Sequence, residues 1–254
     1  MRLYAKVKCE KNMYFVKSAL TPGDKFYQKE QVTYRWLTKY HIGIQPSLIK
    51  SFPPTNIFEF VDGKKLSNLV YNKKFREILN TVVIKIANFH SNSNKREKLN
   101  YKYAGFIRKN LLNSIHIGNM HGDLSPSNII IRPNKEVVIV DWEDFKVNGV
   151  CEFDIIHFFV MLGVVWFTKN RKITNRKLAK LILSDIAFGK LVYSLSEQYC
   201  NLTNCDKENL IKLLPLYCKS QIIRLEENGR NSINFIYNSI IKEVSNMNTK
   251  QIRW

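Results

Sequence analysis

The sequence predicts an α+β fold, with a small sheet region first and a mainly helical remainder that carries one further β-hairpin. Three observations point to this. Strand-type runs cluster before residue 60, in "LYAKVKC", "NMYFVKSAL" and "NIFEF". Two short β-branched runs, "NIII" and "EVVIV", flank the turn residues "RPNK" and read as a hairpin pairing 129–132 with 136–140. Beyond residue 150 the chain reads as helix. With 254 residues and 45% hydrophobic content, it is long enough to bury a substantial core.

Each element follows from local pattern. "LYAKVKC" supplies one strand ahead of "NMYFVKSAL", a strand that ends near Lys17. "DKFYQKEQVTYRWLTKY" reads as a helix: Asp24 is placed to cap it, and Phe26, Val32, Trp36 and Leu37 lie on or near one face. "NIFEFVDGKKLSNL" reads as a strand, a tight exit at Asp62-Gly63 and the start of a helix. "TVVIKIANFHS" (81–91) is an amphipathic helix ending at His90, a position where histidine is more often structural than catalytic. The Asn/Lys-rich stretch 91–102 reads as a surface loop. The apolar run 155–167 is interrupted by His157 and falls short of the ~20 residues that span a bilayer, so it reads as a buried helix. Residues 175–247 read as several helices, with Pro215 placed to break or kink one.

The chemistry concentrates in "MHGDLSPSNIIIRPNKEVVIVDWEDF" (120–145). In an antiparallel hairpin the residue before the first strand lies beside the residue after the second, which brings Asn128 next to Asp141. An amide oxygen and a carboxylate form a common partial shell for Mg²⁺, which keeps its other positions for water and phosphate. Asp123, five residues earlier, suits accepting a proton from a hydroxyl that attacks phosphorus. A single aspartate after a strand is ordinarily a turn or cap residue. Three such residues at this spacing, led by His121 and Gly122, carry more weight.

"HGDLSPSN" followed by "IVDWE" resembles the catalytic and metal-binding segments of the aminoglycoside phosphotransferase/choline kinase family, which has the two-lobed protein-kinase-like fold. The resemblance implies an N-terminal nucleotide-binding lobe over residues 1–60 and a catalytic, acceptor-binding lobe over 61–254. It implies Asp123 as the catalytic base, Asn128 and Asp141 as metal ligands, and ATP and Mg²⁺ as cofactors. Lys17 and Glu30 match the lysine–glutamate pair that contacts the nucleotide phosphates. Glu59, Phe60 and Val61 fall where hinge backbone groups bind adenine. His121 and Asp154 match structural supports of the catalytic loop. Trp142 and Glu143 stand where protein kinases have Phe and Gly, which favours a small-molecule kinase.

The sequence departs from that family at its start. About a dozen residues precede the Lys17 strand, and no glycine occurs before Gly23. Either the first strand and the phosphate-covering loop are missing or the chain starts late. The formal net charge of +19 fits either compositional drift or attraction to an anionic partner, such as an acidic glycan or a lipid-linked sugar at a membrane surface. No interleaved aromatic and basic motif of the kind that reads bases is present, so no nucleic-acid partner is expected. Five cysteines without CxxC spacing and an N-terminus without an apolar h-region imply reduced thiols and a cytoplasmic location, with reach to the inner membrane surface. The leading expectation is an ATP-dependent kinase of a hydroxyl on a small molecule or glycan. An atypical protein kinase and a nucleotide-binding pseudokinase acting as an interaction module are the alternatives.

Overall fold

The computed structural model describes residues 2–21, 25–40, 42–91, 115–169, 171–227, 234–247 and 252–254. Contacts divide the chain into two compact units. The first comprises Met1–Leu69, His121–Asp123 and Ser127–Phe145; the second comprises Val70–Met120, Leu124–Pro126 and Lys146–Trp254.

In the first unit, β1 (Arg2–Cys9) and β2 (Asn12–Ala19) form a hairpin through the two-residue turn Glu10–Lys11. Helix α1 (Lys25–Lys39) follows, then β3 (Leu48–Phe52) and β4 (Thr55–Glu59). These strands make one antiparallel sheet in the order β1-β2-β4-β3. One strand therefore precedes the Lys17 strand, which runs two residues beyond its expected end. The face of α1 that is buried carries Glu30, Thr33, Tyr34 and Leu37. Val32 was expected on or near that face and is 65% exposed instead, because it falls on the opposite side of the 3.6-residue turn. The capping position Asp24 and the Phe26 side chain lie outside the described residues, as do 92–102 of the expected surface loop.

Beyond the sheet, β5 (Lys64–Lys65) pairs with β7 (Ile129–Ile131), which pairs with β8 (Val137–Ile139). Gly63 permits the first of these pairings, since a Cβ there would sit 2.5 Å from the Ile131 carbonyl oxygen. The β7–β8 turn is legible residue by residue. Pro133 and Asn134 make the bend, the Lys135 N–H donates to the Arg132 carbonyl, and Lys135 takes a left-handed φ of 68°. Register sets Ile129 opposite Ile139, and the Val140 N–H donates to the Asn128 carbonyl at 2.9 Å. Val140, rather than Asp141, is thus the direct partner of Asn128, and Asp141 follows one residue later.

Among its described residues, the second unit is mainly helical, with β6 (Ile117–Met120) paired with β9 (Lys146–Val150). Its helices are α2 (Phe75–Ser91), α3 (Cys151–Thr168), α4 (Asn175–Ser184), α5 (Ile186–Thr203), α6 (Lys207–Glu227) and α7 (Asn234–Asn246). Helix α3 is apolar enough to cross a bilayer by composition, but its residues from Cys151 to Val160 are all buried in the protein core. The stretch 175–203 divides into two helices at Asp185. Asp185 turns to an extended conformation between them, and its side chain accepts the Phe188 N–H at 2.8 Å, capping α5. Pro215 does not break α6, which continues through it.

The head of α3 anchors two buried polar groups. Asp154, 1% exposed, lies 3.2 Å from His90 Nε2, and His90 Nδ1 lies 2.8 Å from the Tyr199 hydroxyl. Two residues earlier, Glu152 accepts the His116 backbone N–H at 3.0 Å and lies 2.7 Å from its Nδ1. Asp154→Ala leaves His90 with a lost partner in a dry setting. The expected result is a loss of about 1–3 kcal/mol in urea unfolding, and an unchanged midpoint would remove Asp154 from the supports of this unit.

Candidate functional site

The first unit contains a cleft of about 520 Å³, within the range that holds small ligands. Lys17, Glu30, Glu59, Phe60, Val61, Asn128 and Asp141 all line it. Seven residues spread over more than a hundred positions of sequence therefore share one concavity.

Lys17 is the electrostatic centre. Its side chain is 8% exposed, and its Nζ lies 3.0 Å from Glu30, 2.9 Å from Asp141 and 3.1 Å from Glu143. Burial alone would lower the pKa of this ammonium. The carboxylates of Glu30, Asp141 and Glu143 outweigh that and hold it above the ordinary lysine value. Burial raises Glu30, which Lys17 only partly offsets, and its Oε2 is buried without a hydrogen-bond partner. Arg2, from β1, reaches the same Glu143 Oε2 that Lys17 contacts, at 2.5 Å. Glu143 and Arg2 were not among the expected site residues. The only signal in the sequence was the glutamate of "DWE" standing where protein kinases have glycine.

Removing the ammonium tests this cluster independently of activity. Lys17→Met leaves buried Glu30 without its cation and should cost about 3–5 kcal/mol of stability. The missing stability should grow as pH rises above the ordinary carboxylate range. A Glu30 carboxyl whose folded pKa is raised contributes stability at low pH and loses it as pH rises through that pKa. Adding Glu30→Gln should recover much of the loss in urea melts. A Lys17→Met protein as stable as the parent at every pH would refute the buried-pair account.

The segment from His121 to Asn128 is held by short hydrogen bonds. His121 is fully buried; its Nε2–H donates to the Val140 carbonyl at 3.0 Å, and its Nδ1 accepts the Asp123 N–H at 3.2 Å. Its ring also packs against Trp142, with centroids 4.6 Å apart, and Trp142 donates to the Ile139 carbonyl at 2.7 Å. Gly122 between them takes φ 87°, and a Cβ there would lie 2.3 Å from the Asp144 carbonyl oxygen, so no larger residue fits. The Asn128 amide donates to the Asp123 carbonyl at 2.9 Å and to its carboxylate at 3.1 Å. Both donations come from Nδ2, which leaves Oδ1 as the oxygen Asn128 can offer a cation. Asp141 adopts the left-handed region, φ 67° and ψ 57°, a conformation uncommon outside glycine and concentrated at functional sites.

At the other wall, the Glu59 N–H donates to the Ser47 carbonyl and the Phe60 N–H to the Met13 carbonyl. Val61 lies just past the strand and lines the cleft. The Glu59 side chain is engaged by Arg132. Burial would raise its carboxyl, but the Arg132 guanidinium outweighs that and holds it below the usual range. Asp154 belongs to the second unit, where its carboxylate lies 3.2 Å from His90 Nε2.

No protein-family model matches the sequence, and no curated protein matches it. Solved structures do. The choline kinase from Cryptosporidium parvum Iowa II aligns with TM-score 0.55 and 16% identity, over 98% of this chain and 89% of that one. The gentamicin complex of APH(2")-IIa aligns with TM-score 0.52 and 14% identity, over 98% and 89%. The ethanolamine kinase from Plasmodium vivax aligns with TM-score 0.50 and 16% identity, over 96% and 79%.

The fold is the two-lobed protein-kinase-like fold. The kinase-like fold is the one the "HGDLSPSN" and "IVDWE" segments led us to expect. Its N-terminal sheet here is joined ahead of Lys17 by the turn Glu10–Lys11, which contains no glycine.

Proposed function

We propose that this protein is an ATP-dependent phosphotransferase that phosphorylates a hydroxyl of a small molecule or glycan. The observation that carries the reading is the joint placement of Lys17, Asn128 and Asp141 in one cleft, with Asn128 bonded to Asp123. The donor set fits a hard divalent cation. Asn128 Oδ1 and the Asp141 and Glu143 carboxylates are all oxygen donors, and the Asp141 side chain remains 40% exposed despite its ion pair. Mg²⁺ held there with the nucleotide would neutralise phosphate charge.

The chain's own residues then have distinct tasks. Val61 and its neighbours seat the adenine along the hinge. Lys17, aimed by Glu30, holds the phosphates. Asp123 accepts the proton of the attacking hydroxyl, while Asn128 orients its carboxylate and His121 fixes its backbone. The likeness to choline kinase, ethanolamine kinase and aminoglycoside phosphotransferase structures supports a small-molecule acceptor over a protein. ADP release on mixing with choline, ethanolamine, aminoglycosides and acidic glycans tests the reading, and release without any acceptor dependence would count against it.

The formal net charge of +19 favours an anionic acceptor within that class. If it captures the acceptor, kcat/KM should fall steeply from low to physiological salt, where the Debye length shrinks to ~8 Å. A flat salt profile would reduce the charge to a solvated surface.

A further inference from the structure

The turn that ends α5 carries a feature that the phosphotransferase reading does not use. Asn204 adopts the left-handed conformation, φ 55° and ψ 40°, and the Cys205 N–H donates to the Cys200 carbonyl at 3.2 Å. This is a Schellman ending, in which the residue beyond the left-handed position folds back over the helix residue five places earlier. That contact is normally apolar. Here both residues are cysteines, and their Sγ atoms lie 2.8 Å apart.

We propose that Cys200 and Cys205 form a peroxide-reactive dithiol, a redox modification site that closes to a disulfide. The backbone motif imposes the apposition, so little movement separates the pair from the ~2.05 Å sulfur–sulfur bond. The two thiols are not equivalent. Cys200 is 6% exposed, whereas Cys205 is partly open to solvent. The hydrogen bond between the two sulfurs lowers the Cys205 pKa below the ordinary thiol value and, with burial, raises that of Cys200.

The order of events follows from that asymmetry. The Cys205 thiolate attacks one oxygen of hydrogen peroxide, the O–O bond breaks, and hydroxide leaves, giving Cys205 sulfenic acid. The Cys200 sulfur then attacks the Cys205 sulfur, the S–O bond breaks, and water leaves with the Cys200 proton. Two cysteine sulfurs are oxidised and one peroxide is reduced to water and hydroxide. The other cysteines provide internal controls: Cys9 is exposed and Cys151 and Cys218 are buried.

The sequence allows a direct readout, because no lysine or arginine lies between Lys190 and Lys207 and one tryptic peptide holds both thiols. The full chain, reduced and freed of reductant, is treated with hydrogen peroxide, alkylated in denaturant and digested without reduction. The expected result is a 191–207 peptide lighter by two hydrogens that takes up no alkylating reagent until reduced. Cys200→Ser should instead trap Cys205 as a dimedone-reactive sulfenic acid, and Cys205→Ser should leave Cys200 alkylatable after the same treatment. Circular dichroism checks that both variants fold, and the single variants Cys200→Ala and Cys205→Ala replace them if they do not. In each of these variants, peroxide should leave the buried Cys151 and Cys218 alkylatable. The proposal is overturned if the wild-type peptide is alkylated at both cysteines under conditions that oxidise Cys9. Conversion of Cys205 to sulfinic acid beside an intact Cys200 thiol would overturn it too. Neither outcome bears on phosphoryl transfer.

Discussion

Asp123→Asn should lower kcat by about 10²–10⁴-fold while leaving Mg²⁺-dependent nucleotide binding close to that of the parent. The substitution keeps the side chain's shape and keeps an oxygen for the Asn128 amide, which now bonds both the Asp123 carbonyl and carboxylate. What it removes is the negative charge and the capacity to take a proton from an attacking hydroxyl. Because the loop is fixed by His121 through backbone atoms, the altered side chain should not displace it. The check is a paired measurement of turnover and of nucleotide affinity by calorimetry. Near-normal turnover in Asp123→Asn would mean that the base lies elsewhere.

Asp141→Ala should behave in the opposite way, abolishing metal-dependent nucleotide binding rather than the chemical step alone. Asp141 is the cleft carboxylate most open to solvent among Lys17's partners, at 40% against 3% for Glu30 and 12% for Glu143. It is therefore the carboxylate in that group best placed to meet an incoming cation. Lys17 keeps Glu30 and Glu143 in the variant, so the empty protein should lose little stability. Equal thermal-shift responses to Mg·ATP in Asp141→Ala and the parent would rule out this carboxylate as the metal ligand.

The parts of the site that could be read from sequence are those fixed by short-range geometry. "NIII", "RPNK" and "EVVIV" specify a hairpin, and a hairpin places its flanking residues together, so Asn128 and Asp141 could be paired from pattern alone. The pairing was one residue out, since Val140 is the register partner, because the three-residue bend and the left-handed Lys135 set the strand count. Lys17 and Glu30 are not near neighbours in any periodic sense. Their pairing was legible only through the resemblance, and the 3.0 Å contact supplies its physical content. Arg2 and Glu143 are separated by 141 positions, and no local propensity connects them. Asp185 was overlooked for a different reason. A continuous helical pattern on both sides masks a cap, whose extended backbone is visible only in three dimensions. The Schellman contact between Cys200 and Cys205 lies between these cases, since Asn at the helix end is a known stop signal.

In the proposed reaction, the cleft holding Lys17, Asn128 and Asp141 delivers the terminal phosphoryl group of ATP to a hydroxyl. Incubation with [γ-³²P]ATP and Mg²⁺ against pooled small metabolites and envelope glycans tests it most directly. The expected result is acid-stable label on a small molecule or glycan, dependent on Mg²⁺ and absent with Asp123→Asn. Label appearing on protein substrates alone, or no label from any pool with protein that binds Mg·ATP, would contradict it.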